Sequence, residues 1–120
     1  MVPGRGVGRL MEQPWTIVIS QNGLSDEEAQ SDVSQLLSML DGIENPPVRL
    51  CFTTEGVSLV ATGSPLLPRL KKLEANGVEM IACRTCLDYL GLRDDVEVGR
   101  ISAMEHIMAQ MERAENVVLL

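Results

Sequence analysis

Short apolar runs with the character of β-strands alternate with longer segments of helical periodicity along this chain. The run at 15–20 is apolar on both faces, as in a strand that is buried in a parallel sheet. The runs at 48–52 and 78–82 are predicted to be the second and third strands. Two further runs, at 96–99 and 116–120, are predicted to be the fourth and fifth strands. This alternation predicts one α/β domain, in which a parallel sheet carries helices on both faces.

Helix-start signals stand between the strand-like runs. Ser25 with Glu28, and Ser102 with Glu105, have the spacing of capping boxes and predict two helix starts. Apolar residues three and four positions apart predict the buried helix faces. These residues are Val33, Leu36, Leu37 and Leu40 in the first helix, Leu66, Leu70 and Leu73 in the next, and Met104, Ile107, Met108 and Met111 in the last.

The other helical segments carry weaker signals. The stretch 53–63 is predicted to form a short helix after a polar turn. Ser64 followed by Pro65 predicts another helix start, because proline is favoured at the first helical position. The segment 83–91 is predicted to be a helix that ends at Gly91. His106 is expected on the surface of the last helix rather than in a catalytic role.

Composition and charge exclude several classes of protein. Seventeen acidic against ten basic residues give a net charge of −7, which repels nucleic acid and anionic membranes. The apolar runs are too short to span a bilayer, and the first ten residues do not have the pattern of a secretory signal. We expect a flexible leader at 1–13 and one domain at 14–120. With only three cysteines, we expect a cytoplasmic protein whose thiols are reduced.

Two of the three cysteines lie close together where the third strand meets a helix. Cys83 is predicted at the first turn of that helix, where unpaired backbone N–H groups stabilise a thiolate. Arg84 adds a positive charge nearby, and Cys86 falls on the same helical face as Cys83. Ligands of parallel sheets bind beyond the carboxyl ends of the strands. The sequence therefore predicts a reactive Cys83, with Cys86 as the second thiol.

Several chemistries are compatible with such a pair. A thioredoxin-like dithiol has this strand–Cys-x-x-Cys–helix context, but that fold also places a cis-proline before a later strand, and no proline follows Pro68. A zinc site needs about four ligands, and only Cys51 and His106 remain to complete one. A further interpretation is that both cysteines are ordinary buried thiols. A sulfur carrier needs only one accessible thiolate, and no metal or cofactor is expected.

The segment GVEMIACRTCLDYLGL resembles a known protein family. It resembles the DsrE/DsrF-like family, in particular the C-terminal domain of YedF-type selenium-metabolism proteins, which are sulfurtransferase-like. The similarity extends over most of residues 15–120 and includes 55–64, 70–79 and 98–107. The residues of the diagnostic segment that match are Cys83, Thr85, Cys86, Leu87, Asp88, Tyr89, Gly91 and Leu92.

The resemblance implies a three-layer α/β/α fold with a five-stranded parallel sheet, in a cytoplasmic homo-oligomer. Family members transfer sulfur on a cysteine after the third strand, the position of Cys83, and their partners are TusA-like carriers with a Cys-Pro motif. YedF-type proteins carry such a domain at the N-terminus; we expect none here, which leaves the donor and the acceptor open. We therefore expect a persulfide carrier for sulfur or selenium that acts on a TusA-like or other thiol protein.

The expected pocket lies where the strands end. Glu55 departs from the family pattern, because it adds a charge beside that pocket. An oligomeric binding module with buried thiols, or a dithiol redox or metal-binding protein, is the alternative function. The pocket residues expected beside the two cysteines are Ser20, Asn22, Thr53, Thr54, Arg84 and Thr85.

Overall fold

The computed structural model describes residues 15–21, 27–44, 46–114 and 116–120, without the side chains of 27–32. Five strands form one parallel sheet in the order β4-β3-β2-β1-β5. This confirms the predicted fold class. The leader at 1–13, Asn22 and Ser25 of the Ser25–Glu28 capping box lie outside the described residues, as does the side chain of Glu28. The strands are β1 (Trp15–Ile19), β2 (Val48–Phe52), β3 (Glu79–Cys83), β4 (Arg100–Ser102) and β5 (Asn116–Leu119).

Helices connect these strands and cover both faces of the sheet. The connections from β1 through β4 all advance toward the same sheet edge, and parallel crossovers are right-handed. α1, α2 and α3 therefore lie on one face, whereas α4, which leads back to β5, lies on the other. None of the described helices is long and apolar enough to cross a membrane. The helices are α1 (Glu27–Asp41), α2 (Leu67–Ala75), α3 (Arg84–Leu90) and α4 (Met104–Arg113), with 3-10 helices at Thr54–Val60 and Arg93–Asp95.

The core lies between the sheet and its helices. The central strands are almost wholly buried, with Leu50, Phe52 and Ile81 at 0–1% exposure. The helical periodicity correctly predicted the buried faces of α1 and α2. The residues concerned are Val33, Leu37, Leu40, Leu70 and Leu73, with Leu36 packed at the margin.

The prediction of a strand at 96–99 is wrong. Val96 forms only an isolated antiparallel bridge with Ala61, and the Glu97 N–H donates to the Val60 carbonyl at 2.8 Å. These bonds hold the segment against the end of the first 3-10 helix. Gly99 then turns the chain with a φ of 80°, so that the fourth sheet strand begins at Arg100.

Two predicted helix starts are also corrected. α2 begins at Leu67, because Ser64 and Pro65 lie in a turn; there the Ser64 Oγ accepts the Leu66 N–H at 3.2 Å. Ser102 pairs with Cys83 in the sheet, so it does not cap α4.

The methionine stripe of α4 is confirmed only in part. Ile107 is buried, and Met104 and Met111 pack against the core. Met108, however, is 55% exposed. His106 lies on the surface, as expected.

Candidate functional site

The two neighbouring cysteines lie where β3 passes into α3. Cys83 is the last residue of β3 and the N-cap of α3, with extended dihedral angles (φ −69°, ψ 122°). Cys86 follows in the first turn of the helix. Gly91 ends α3 in the left-handed conformation, with a φ of 70°, as the sequence predicted. Both thiols therefore lie at the carboxyl edge of the sheet, where ligands of parallel α/β folds bind.

Cys83 is fully buried, with 0% of its surface exposed. Burial raises the pKa of its thiol, and the side-chain hydrogen bond with Cys86 raises this pKa further. Hydrogen bonds from the backbone N–H groups of Cys86 and Thr85 act in the opposite direction but do not reverse the shift. The expectation of a solvent-open, readily ionised Cys83 is therefore wrong, because desolvation outweighs the helix N-terminus.

Cys86 is the more accessible thiol of the pair. It is half-buried and lines an open cavity of about 330 Å³. The backbone N–H of Thr54 donates a hydrogen bond of 3.1 Å to Cys86 Sγ. This donor fixes the position of the Cys86 sulfur at the wall of the cavity. The residues that line the cavity are Thr54, Glu55, Thr85, Cys86, Tyr89 and Leu90.

Thr54 holds its N–H toward the sulfur in a strained backbone conformation. Its φ of 52° is positive, which no other non-glycine residue of the described part of the chain shows, and this region is costly for a β-branched residue. The flanking chain is fixed on both sides. The Thr53 N–H donates to the Ile19 carbonyl at 3.0 Å, and the Gly56 N–H donates to the Thr53 carbonyl at 2.8 Å. Strain of this kind is concentrated at functional sites.

Gly56 allows this loop to press against the end of β1. A Cβ atom at this position would lie 2.1 Å from the Ile19 carbonyl oxygen, a distance that the backbone cannot accommodate. The absence of a side chain therefore sets the height of the first 3-10 helix above the sheet. Through that contact Gly56 also determines where the Thr54 N–H points.

The structure brings some of the expected pocket residues together and separates others. Thr54 and Thr85 lie with Cys86 in the cavity, and Glu55 adds its charge there as expected. The Ser20 Oγ donates to the Leu120 carbonyl at 2.9 Å and so joins β1 to the chain after β5. Thr53 is half-buried and only precedes the cavity. Arg84 lines a different groove, on the other side of the α3 start.

Tyr89 and Leu90 are cavity residues to which the sequence reasoning assigned no site role. They follow Cys86 by three and four positions, and this spacing places side chains on one helical face. That signal was present in the sequence. Tyr89 is 88% exposed, so the cavity has an aromatic, solvent-facing rim.

Cys51 does not join the thiol pair. It lies in β2 with 0% exposure, and burial raises its pKa to about 11. Among the described residues, no group of three or more His, Cys, Asp or Glu side chains is arranged to hold a metal ion.

Solved structures share the fold of this chain. YchN from Escherichia coli is 18% identical with a TM-score of 0.76, and the match covers 90% of this chain and 99% of that one. A protein of unknown function from Methanobacterium thermoautotrophicum, MTH1491, is 18% identical with a TM-score of 0.70 and covers 90% and 99%. BT1422 from Bacteroides thetaiotaomicron, also of unknown function, is 13% identical with a TM-score of 0.69 and covers 92% and 97%.

These low identities support the fold alone. No curated protein matches the sequence at a significant level. The family model described as "DsrE/DsrF-like family" matches residues 16–119, which includes the whole sheet except Trp15, both neighbouring cysteines and the Thr54 loop. The chain therefore belongs to the DsrE/DsrF-like family.

Proposed function

We propose that this protein relays sulfane sulfur, with Cys86 as the atom that carries the persulfide and Cys83 as the second thiol. The observation that carries the proposal is the hydrogen bond from the Thr54 N–H to Cys86 Sγ at the wall of an open cavity. Membership of the DsrE/DsrF-like family supports sulfur relay as the type of function. The roles of the two cysteines are exchanged relative to the sequence-based expectation, because Cys83 is buried.

The proposed chemistry needs two exchange steps and no metal or cofactor. The Cys86 thiolate attacks the outer sulfur of a donor persulfide, R–S–SH; a new S–S bond forms at Cys86 while the donor S–S bond breaks and RS⁻ leaves. An acceptor thiolate then attacks the outer sulfur of Cys86–S–SH. Cys86 leaves as a thiolate, and the acceptor carries the persulfide.

Cys83 supports Cys86 in this scheme. Its pKa is raised, so it stays a neutral thiol near pH 7 and is able to donate a hydrogen bond to the sulfur of Cys86. The Cys86 thiolate would then accept hydrogen bonds from Thr54 and from Cys83. Both donors would hold the sulfur in position at the wall of the cavity.

The contact between the two thiols also supports a second candidate function, thiol–disulfide exchange. Cys83 as a thiolate would attack the inner sulfur of the Cys86 persulfide, form a Cys83–Cys86 disulfide and release HS⁻. An external dithiol would then have to reduce the pair. The raised pKa of Cys83 disfavours this route at neutral pH and makes it the second choice.

The proposed partner is a thiol protein, such as a TusA-like carrier, that presents a cysteine at the cavity. Tyr89 and Leu90 at the rim are 88% and 39% exposed and offer an apolar contact surface. The proposal places the protein in the cytoplasm, because reduced thiols need a reducing compartment. It also includes a homo-oligomer, as the resemblance of the sequence implies. Selenium in place of the transferred sulfur would follow the same steps.

The test is sulfur loading followed by intact mass measurement. The reduced protein is incubated with a persulfide donor, and the bound atom is located by peptide mapping. We expect one added sulfur in the wild type and in Cys83→Ser, and none in Cys86→Ser. Cys51→Ser is the matched control and should load as the wild type does.

Two results would contradict the proposal. If Cys86→Ser still takes up sulfur while Cys83→Ser does not, the roles of the two cysteines are reversed. If none of the proteins takes up sulfur and no thiol of the native chain reacts with a maleimide, a binding module with inaccessible thiols is the correct interpretation.

A further inference from the structure

A second, larger groove lies between β4 and α4, outside the thiol cavity. Its volume is about 690 Å³, within the range of small-molecule sites. The residues of α4 and its N-cap that line the groove recur at helical spacing, at positions 103, 106, 109, 110 and 113. The lining residues are Arg84, Arg100, Ile101, Ser102, Ala103, His106, Ala109, Gln110 and Arg113.

The groove is cationic although the chain as a whole carries a net charge of −7. Three arginines line it, and no carboxylate does. Within the described part of the chain, Arg84 and Arg113 form no ion pair. Arg100 binds Glu79 at 2.8 Å, but that carboxylate is shared with Arg49 and so neutralises only part of the two charges.

The three arginines and His106 lie at the two ends of the groove. Arg84 follows Cys83, which pairs with Ser102 at the carboxyl end of β4. α4 returns antiparallel to β4, so His106 in its first turn lies at the Arg84 end and Arg113 in its last turn lies at the Arg100 end. His106 and Arg113 are separated by seven residues, or roughly 10 Å along a helix.

Uncharged residues line the stretch between the two ends. Along α4 these are Ala109 and Gln110, and Ile101 of β4 supplies an apolar surface. Guanidinium groups bind carboxylates and phosphates through paired hydrogen bonds. An occupant of this groove would therefore have oxyanions at its ends and an apolar or neutral middle.

We propose that this groove binds an elongated small molecule that carries an oxyanion group at each end. Arg84 and His106 bind one end, and Arg100 and Arg113 bind the other. The inference is independent of sulfur relay, since it rests on groove residues that include neither Cys83 nor Cys86. Carboxylates and phosphates share this chemistry, so the experiment contains one arm for each.

The test is isothermal titration of the full chain at low ionic strength with thiol-free probes. S-methylglutathione supplies two separated carboxylates, and fructose 1,6-bisphosphate supplies two separated phosphates; acetate and inorganic phosphate are the single-anion comparators. We expect at least one two-ended probe to bind about tenfold more tightly than its single-anion comparator. The arm that binds identifies the class of ligand.

Variants at both ends of the groove make the assignment specific. Arg84→Gln and Arg113→Gln should each weaken binding by about fivefold or more, while melting temperatures stay unchanged because both side chains are exposed. Arg93→Gln is the charge-matched control, because Arg93 pairs with Asp88 outside the groove, and it should bind as the wild type does. Equal weakening by Arg93→Gln, equal affinity for one- and two-ended probes, or no binding of any probe would overturn the proposal.

Discussion

The Thr54 N–H and the Cys86 sulfur are joined by a 3.1 Å hydrogen bond that spans 32 positions of sequence. One partner is the first residue of a 3-10 helix after β2, and the other is in the first turn of the helix after β3. Since β2 and β3 are neighbours in the parallel sheet, their following segments meet above its carboxyl edge. The order of the strands in the sheet therefore brings Thr54 and Cys86 together.

Thr54→Gly should leave the hydrogen bond intact and increase stability. Glycine adopts a positive φ freely, which removes about 1–2 kcal/mol of strain, whereas its extra freedom in the unfolded chain costs about 0.5–1 kcal/mol. We expect the free energy of unfolding to rise by about 0.5–1 kcal/mol in urea denaturation. Thr53→Gly, at a φ of −131°, should lower it. A loss of stability in Thr54→Gly would show that the strain is not released.

Gly56→Ala should be severely destabilising. Its Cβ would meet the Ile19 carbonyl oxygen at 2.1 Å, and relief requires movement of the 3-10 helix, at a cost of about 3 kcal/mol. In the fraction that folds, the displaced Thr54 N–H should slow alkylation of Cys86. Gly42→Ala, whose Cβ would have an ordinary 3.7 Å contact, should be nearly neutral. Equal stability of the two variants in denaturant melts would refute the close approach.

Removal of the charge of Glu55 should make Cys86 more reactive. Glu55 and Cys86 line the same cavity, and a carboxylate there repels an anionic reagent that approaches the thiol. Glu55 is exposed, so the effect is modest, and Glu55→Gln should speed labelling by the anionic reagent iodoacetate by about two- to fivefold at low salt. The gain should shrink at high salt. Glu112→Gln, an exposed acid outside the cavity, is the control, and an equal gain there would exclude a local effect.

Ionisation of Cys51 should lower the free energy of unfolding in alkali. Its pKa is raised by burial from 9.0 to about 11, so between these values the folded chain keeps a proton that the unfolded chain has lost. Its contribution is fully present below pH 9.0 and is lost as the pH rises toward 11, with a difference of about 3 kcal/mol. Urea melts of the wild type should therefore fall more steeply over this range than those of Cys51→Ala. Parallel curves would contradict the shift.

The sequence predicted the elements that depend on local pattern. β1 is apolar on both faces in the sequence and is buried from Thr16 to Ile19 in the fold, and Gly91 ends α3 where a left-handed residue is needed. The segment at 96–99 also has a strand-like pattern, but a hydrogen bond from the Glu97 N–H to the carbonyl of Val60, 37 positions earlier, keeps it out of the sheet. No local pattern contains that contact.

The position of the cysteine pair was predictable, but which thiol is accessible was not. Cys83 and Cys86 are adjacent because three positions of helix bring them together. Their exposure depends on how the Thr54–Val60 helix packs over β2, β3 and α3. That packing is set by Gly56 against Ile19, a contact between distant segments. The rule that a helix N-terminus activates a thiol assumes an open site, and the fold buries Cys83.

One of the two neighbours of β1 is synthesised about 100 residues after β1 itself. The strand pairs with β5 on one side, and Ser20 is tied to Leu120 through a bond that spans 100 positions. At translation rates of about 5–20 residues per second, one side of an apolar strand waits for roughly 5–20 s before its partner leaves the ribosome. An unpaired strand of this kind is a template for association with other chains. The nascent chain should therefore depend on chaperones more than the stability of the finished domain suggests.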